Sequence, residues 1–576
     1  MSKLNIDQRS IRDLLTDKKS DFLIPDYQRP YAWGEDESST LWEDLFAFAF
    51  PGDDCDNFNS NDEYFLGPIV TFKNTAGQLE IIDGQQRLTT IMLLLRAFYD
   101  KFANMKDKQS VKMHEAIERC VWKTDEFDDP DFDALKIDSE VASDNDKGEF
   151  LEILRTGNVD SGWKSAYARN FKYFQKKIEE LVSEWPSYTG YMATRVINNV
   201  ILLPIEAESQ DTALRIFSTL NDRGLPLSDA DIFKSQFYKH YSDQGRKDEF
   251  IGRWKRLEEG ANAIFRPMRG TPMDELFTRY MYFRRAKRGI RDTTTASLRD
   301  FFSADGYAML KEEQTLGDLE ALLGFWQKVD AQEGFGERVL RRLFVLNYAP
   351  NGMWTYLVSV WFLSNRDAEG NLDDDALYAF LNKITAFIFA YAIERPGVNA
   401  LRSPVYPEMI SIVEYRPVEF ANHRFDRAGI AERFRSYVFT NGRPVTKSML
   451  TWWAYTDPDQ PLMGLDTTLE IEHIYAKRRN EAEPLSKPSN LEALGNKALL
   501  EKRVNIRAAD YRFPDKRKYY EGYTDGNGRQ KAGTEVTELR RMVETMDDFS
   551  EADIEERTGA IIGSFVDYLG DNGLLL

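Results

Sequence analysis

The stretch that most limits how this chain can fold is IIDGQQRLTTIMLLL, residues 81 to 95. Two apolar segments flank Asp83-Gly84-Gln85-Gln86-Arg87. Asp-Gly forces a tight turn, because glycine tolerates backbone angles that other residues do not. QLEIIDG reads as a strand, and LTTIMLLLRAFYDKF, residues 88 to 102, has the period and length of a helix. A helix that starts at such a turn aims its free N–H groups and its positive dipole end back at the loop, a favourable place for an anion. Arg87 adds a planar, permanently charged fork suited to phosphate oxygens. Gln85 and Gln86 supply donors and acceptors, and Thr89 or Thr90 is a candidate for phosphate or a metal-bound water.

Two other stretches share this character. In IPDYQRPYAW, residues 24 to 33, Tyr27, Gln28 and Arg29 follow Pro25. In FSTLNDRGLPLSDADIFK, residues 217 to 234, Asn221, Asp222, Arg223 and Gly224 form a turn, with Lys234 further along. Each pairs an arginine with an amide beside a glycine or proline turn. Together they predict one anion site assembled from three loops, for a nucleotide. No G-x-x-x-x-G-K-[ST] occurs, so the site is not of the Walker type.

At 576 residues the chain is too long for one ordinary core. The first 100 residues read as α/β, with YFLGPIVTFKN a second strand, inside a candidate nucleotide-binding domain of residues 1 to 245. Residues 125 to 150 are acidic and turn-rich, an exposed insertion or loop by composition. Residues 165 to 185 read as a helix, and VINNVILLPIEAES as a strand into a turn. Ser228 is a good N-cap before Asp229 and Asp231. Residues 246 to 440 read as a mostly helical middle domain, and a final unit begins near residue 441. No stretch of about eighteen apolar residues suggests a membrane span, and the N-terminus lacks the pattern of a signal peptide. Two cysteines, Cys55 and Cys120, fit a reducing cytoplasm and exclude a cysteine-based zinc cluster.

A net charge of -20 argues against a surface that binds nucleic acid everywhere. From His473 to Lys518, however, 12 Lys/Arg face 6 Asp/Glu. Inside this basic stretch His473 sits in TTLEIEHIYAKRRN, at the end of an alternating strand pattern. Glu472 precedes it, so the two side chains point to opposite faces unless the strand bends. Asn496 and Asn505 follow 23 and 32 residues later. Metal-assisted phosphodiester hydrolysis needs a neutral imidazole to deprotonate water, a group to orient it, and oxygen ligands for a hard cation. His473 as base, Asn496 as orienter, and Glu472 with Asn505 as metal ligands supply those parts. Lys477, Arg478, Arg479, Lys502 and Arg503 are candidates for the DNA backbone. His114, His240 and His423 have no comparable company.

IPDYQRPYAW, YFLGPIVTFK, LEIIDGQQRLTTIMLLLRAF and IFSTLNDRGLPLSDADIFK, in that order, strongly resemble the N-terminal domain of the GmrSD family of type IV restriction and phage-defence enzymes. IEHIYAKRR, LGNKALLEKRVN and FSEADIEERTGAIIGSFVDYL resemble its C-terminal domain. The resemblance implies an α+β, predominantly helical protein. Its N-terminal ParB/sulfiredoxin-like domain would bind and hydrolyse GTP or ATP around Asp83 to Arg87. Its C-terminal ββα-metal (HNH-like) domain would use His473 as base with Mg²⁺ or a similar ion. The family usually carries a proline soon after the His-Ile pair, where this chain has Tyr475-Ala476-Lys477. The resemblance further implies double-stranded DNA as partner, phage-derived or modified (glucosylated bases, or a phosphorothioate mark in relatives). Cutting both strands would favour a homodimer. The alternatives are an NTP-dependent DNA-binding regulator with an inactive nuclease domain, and an RNA nuclease.

Overall fold

The computed structural model describes residues 5–576 other than 7, 142–143, 211, 214–215, 217–227 and 398. Two compact units divide the chain, residues 1–256 and 257–576. The segment from 257 to 440 and the final stretch from 441 fall in the same unit.

The first unit is built on a mixed sheet. Its strands are β1 (Asn5–Ile6), β2 (Arg9–Ser10), β3 (Phe22–Ile24), β4 (Tyr64–Lys73) and β5 (Leu79–Asp83). The short strands β6 (Trp122–Thr124) and β7 (Pro130–Leu135) pair only with each other, while β8 (Ile137–Ser139) and β9 (Val200–Ala207) join the sheet. The order is β1-β9-β4-β5-β3-β8, with β2 also on β9. β4 runs parallel to β9 and antiparallel to β5, and β3 runs parallel to both β5 and β8. Against this sheet lies the helix Gln85–Phe102, buried nearly all round, with Leu88, Ile91, Met92, Leu95 and Phe98 in the core. An apolar surface on every side requires burial on every side. The helix starts at Gln85, so the polar residues expected to lie in a loop form its first turn.

Residues 125 to 150 are not a simple exposed insertion. They close the β6–β7 hairpin and supply β8, the edge strand that pairs with β3. Ile137 and Val141 are buried there. The acidic composition of the flanking turns hid a short apolar alternation. Ser228 caps the helix Asp229–Asp243 as expected, and Asp231 completes a reciprocal capping box.

The second unit is helical apart from short strand pairs. Its helix Asp374–Glu394 is, among the described residues, the one long and apolar enough to cross a membrane, and most of it is buried in the unit's own core. β10 (Leu469–His473) pairs antiparallel with β11 (Lys497–Glu501), in unbroken register from Leu469↔Glu501 to His473↔Lys497. The helix Lys502–Ala508 follows β11 directly, and β12 (Gly522–Thr524) pairs with β13 (Gln530–Ala532). The long helix Glu551–Asp571 packs on the turn before β11, where Gly495 N–H donates to Thr558 Oγ1 (3.0 Å). A Cβ on Gly495 would collide with the Ile554 carbonyl oxygen and the Thr558 backbone. Gly495→Ala is therefore expected to destabilise this unit by about 1–3 kcal/mol, read as a lower melting temperature or denaturation midpoint.

Candidate functional site

The first unit brings two of the three expected loops together. Gln28 Nε2 donates to the carbonyls of Ile81 and Ile82 (both 3.1 Å). Gln85 Nε2 donates to Arg29 O (3.2 Å). Gln86 Oε1 accepts from the N–H groups of Ala32 (2.7 Å) and Trp33 (3.2 Å), and its Nε2 donates to Pro30 O (3.2 Å). All three glutamines are buried. Their amides are spent pinning the loop of residues 28–33 to the start of the helix, which corrects their assignment as ligand contacts. Tyr27 is likewise buried, with its hydroxyl on Glu80 (3.3 Å) and its ring on Tyr238. Thr90 bonds Gln86 O (2.8 Å) and Tyr31 (2.7 Å), and Thr89 is buried, so neither faces a ligand. Asn221 and Arg223 lie outside the described residues.

Two arginines, Arg29 and Arg87, stand partly exposed beside the turn at Gly84. Gly84 sits in the left-handed region (φ 92°), and a Cβ there would press on Pro68 O and Ile69. Arg87 reaches back to Asp83 (3.2 Å), both side chains about one-fifth exposed. Burial raises the Asp83 pKa while Arg87 opposes it. Arg29 has a buried Nε without a partner among the described residues. Sequence reasoning missed Gly67. It lies at a register shift in β4 with φ 132°, and the Arg87 guanidinium fills the space its Cβ would take. A glycine inside a strand pattern, Leu66-Gly67-Pro68, was the available signal.

In the second unit, His473 ends β10 as expected and is nearly buried. Its Nε2 lies 3.4 Å from Glu492 Oε1. The other oxygen of Glu492 accepts from Lys497 Nζ (2.5 Å), which also donates to Asn441 Oδ1 (2.7 Å). Lys477 Nζ stands 3.6 Å from Glu492. Burial, then Lys497, pushes the imidazole pKa down to about 4, with Glu492 opposing. The ring is therefore neutral near pH 7, the state a general base requires. Glu492 was not expected at this position; it lies 19 residues from His473, and only folding brings the two together.

Two roles assigned from sequence are corrected, those of Asn496 and Arg479, and Glu472 and Asn505 are found with partners other than His473. Asn496 does not orient the imidazole: its Oδ1 accepts from Tyr475 N–H (2.7 Å) and its Nδ2 donates to Tyr475 O (3.2 Å) and Leu491 O (2.9 Å), so it clamps the loop after His473. Glu472 does not converge on His473, because the register has no bulge. It is buried against Lys516 Nζ (2.5 Å) and Tyr520 OH (2.9 Å), and Asn505 bonds Glu470 (2.7 Å) instead. Arg479 spends its fork on Asp548 (2.7 Å) and Glu483 (3.0 Å), whereas Lys477, Arg478, Lys502 and Arg503 are exposed. Among the described residues no three His, Cys, Asp or Glu side chains converge at metal-ligand spacing. Glu470 and Glu472 nonetheless share one strand face with Asn505 beside them, and such oxygen donors fit a hard divalent cation in chemistry.

A neutral imidazole with a carboxylate partner, on a strand hairpin inside a basic surface, has the parts of a hydrolase that cuts phosphodiesters. Family comparison places the chain among restriction endonucleases, nucleases of phage defence that act on DNA. The GmrSD restriction endonuclease N-terminal domain matches residues 11–238 and the GmrSD restriction endonuclease C-terminal domain matches residues 421–564. The chain belongs to this GmrSD-like type IV restriction family. No curated protein matches it.

Two outcomes follow from the geometry. Gln86→Ala strands two backbone N–H groups and one carbonyl, and is expected to cost about 1–3 kcal/mol of stability. Arg87→Ala removes a partly exposed ion pair and costs less than about 1 kcal/mol; urea unfolding compares them. The depressed His473 pKa has a signed consequence. Below the ordinary histidine value of 6.5 the unfolded chain takes up a proton that the fold refuses. As pH falls from about 6.5 towards 4, His473→Gln is expected to gain stability relative to the wild type, measured by denaturation at each pH.

Proposed function

We propose that the chain is an NTP-regulated, metal-dependent DNA endonuclease that nicks or cuts DNA bearing a foreign or modified signature. The observation that carries this reading is the buried, neutral His473 held by Glu492 in a basic segment. His473 takes the proton of the attacking water, and Glu492 orients the ring. Glu472 and Asn505 would hold the divalent cation, in a hairpin-and-helix arrangement suited to a ββα-metal finger. Such an ion, when bound, stabilises charge on the scissile phosphate. Lys477, Arg478, Lys502 and Arg503 meet the DNA backbone. In the first unit, Arg87, Arg29 and the turn at Gly84 receive the phosphates of GTP or ATP, on a ParB/sulfiredoxin-like sheet whose loops the glutamines hold rigid.

Plasmid DNA, modified and unmodified, incubated with Mg²⁺ and each nucleotide tests both halves. His473→Ala is expected to lose nicking by roughly 100-fold or more and Glu492→Gln by roughly 10-fold. Arg87→Ala is expected to lose release of phosphate from the nucleotide. Wild-type nicking by His473→Ala sinks the nuclease assignment, and wild-type hydrolysis by Arg87→Ala sinks the nucleotide site. Cleavage of tRNA in preference to plasmid would favour an RNA nuclease.

A further inference from the structure

One surface of the second unit carries a run of tyrosine rings packed on one another, ending in the exposed Tyr511. The helix Lys502–Ala508 ends at Ala509, whose φ of 40° places a non-glycine residue in the left-handed region. Backbone strain of this kind persists where the surroundings enforce it, and it concentrates at binding sites. Just beyond it, Tyr511 is 50% exposed. Tyr519, on the helix Phe513–Glu521, stacks on Tyr511 with centroids 5.9 Å apart and planes 16° apart. Tyr523 in β12 meets Tyr519 edge-on at 5.4 Å. Cations interleave with the rings: Lys518 lies 4.8 Å from the Tyr519 centroid, and Arg507 5.9 Å from that of Tyr523.

The charge around these rings is reversed from that of the chain. Residues 502–523 hold seven Lys/Arg and three Asp/Glu, in a protein of net charge -20. Lys502, Arg503 and Lys518 are exposed. Two neighbouring cations are already engaged, Arg512 with Glu483 and Arg517 with Asp547. Tyr520, by contrast, is fully buried and spends its hydroxyl on Glu472, so the ladder tyrosines are set apart from the tyrosine that serves the core.

We propose that Tyr511, Tyr519 and Tyr523 form a stacking platform for unpaired bases of single-stranded nucleic acid, with Lys502, Arg503 and Lys518 on its backbone. In a duplex the faces of the bases are covered by their neighbours, so a tyrosine face can add to the stack only where a strand is unpaired. Phosphates on a basic track with bases on aromatic rings is the recurring chemistry of single-strand binding. Tyr511 lies one short helix beyond β11, whose Lys497 faces His473 across the hairpin, and Tyr519 and Tyr523 follow on the next helix and on β12. The platform therefore selects frayed, displaced or flap-bearing DNA over an intact duplex. This rests on the reading of the hairpin as a nuclease centre.

Fluorescence anisotropy in chelator, where nothing is cut, separates the two ideas. The probes are labelled oligo-dT and a blunt duplex of equal length. Tyr511→Ala and Tyr519→Ala are each expected to weaken oligo-dT binding by roughly 10-fold while changing duplex binding by less than about 2-fold. Tyr511→Phe and Tyr519→Phe keep the ring and are expected to bind as the wild type. The proposal falls if the alanine variants bind oligo-dT normally, if they lose duplex and single strand equally, or if the phenylalanine variants fail as the alanines do. His473→Ala is expected to bind both probes unchanged. Loss of the platform effect with nicking intact overturns this inference alone; loss of His473-dependent nicking with the platform effect intact overturns the nuclease reading alone.

Discussion

A polar group taken out of water must be given a partner, or it costs the fold about 1–3 kcal/mol, and more if charged. That constraint shapes both candidate sites. In the first unit it commits three glutamine side chains to the backbone of residues 29–33 and 81–82. In the second it ties Lys497 to Glu492 and Asn441, and Lys516 to Glu472. Arg29 keeps a buried Nε without a partner among the described residues, while Arg87 and His473 each keep a carboxylate partner, Asp83 and Glu492.

The two sites use the constraint differently. Around Gln86 the hydrogen bonds make a rigid wall, and the partly exposed side chains beside it are Arg29, Asp83 and Arg87. Around His473 the buried charges set the protonation state. Lys497 and burial keep the ring neutral, while the Glu492 carboxylate fixes where it points. A lysine with no exposure, beside an imidazole, is a costly arrangement that holds only because Glu492 and Asn441 both accept from it.

Much of this was legible in the chain. The strand–turn–helix of residues 79–102, the cap at Ser228, the strand ending at His473 and the exposed cations at 477, 478, 502 and 503 all follow from local patterns. The α+β class and predominance of helix were legible too. The roles of Gln85, Gln86, Asn496 and Arg479 were not, because amides and guanidinium groups serve ligands and backbone equally well. Composition misjudged residues 125 to 150, where acidic turns surround a strand of the main sheet.

The sequence by itself determined the elements, the family and the two places where chemistry gathers, since these depend on periodicity, turn residues and short motifs. Only the tertiary structure decided which polar side chain meets which. Glu492 reaches His473 across 19 residues, Lys516 reaches Glu472 across 44, and Gln86 reaches Ala32 across 54. Such pairings are set by how elements pack, and no local pattern encodes a partner that distant along the chain.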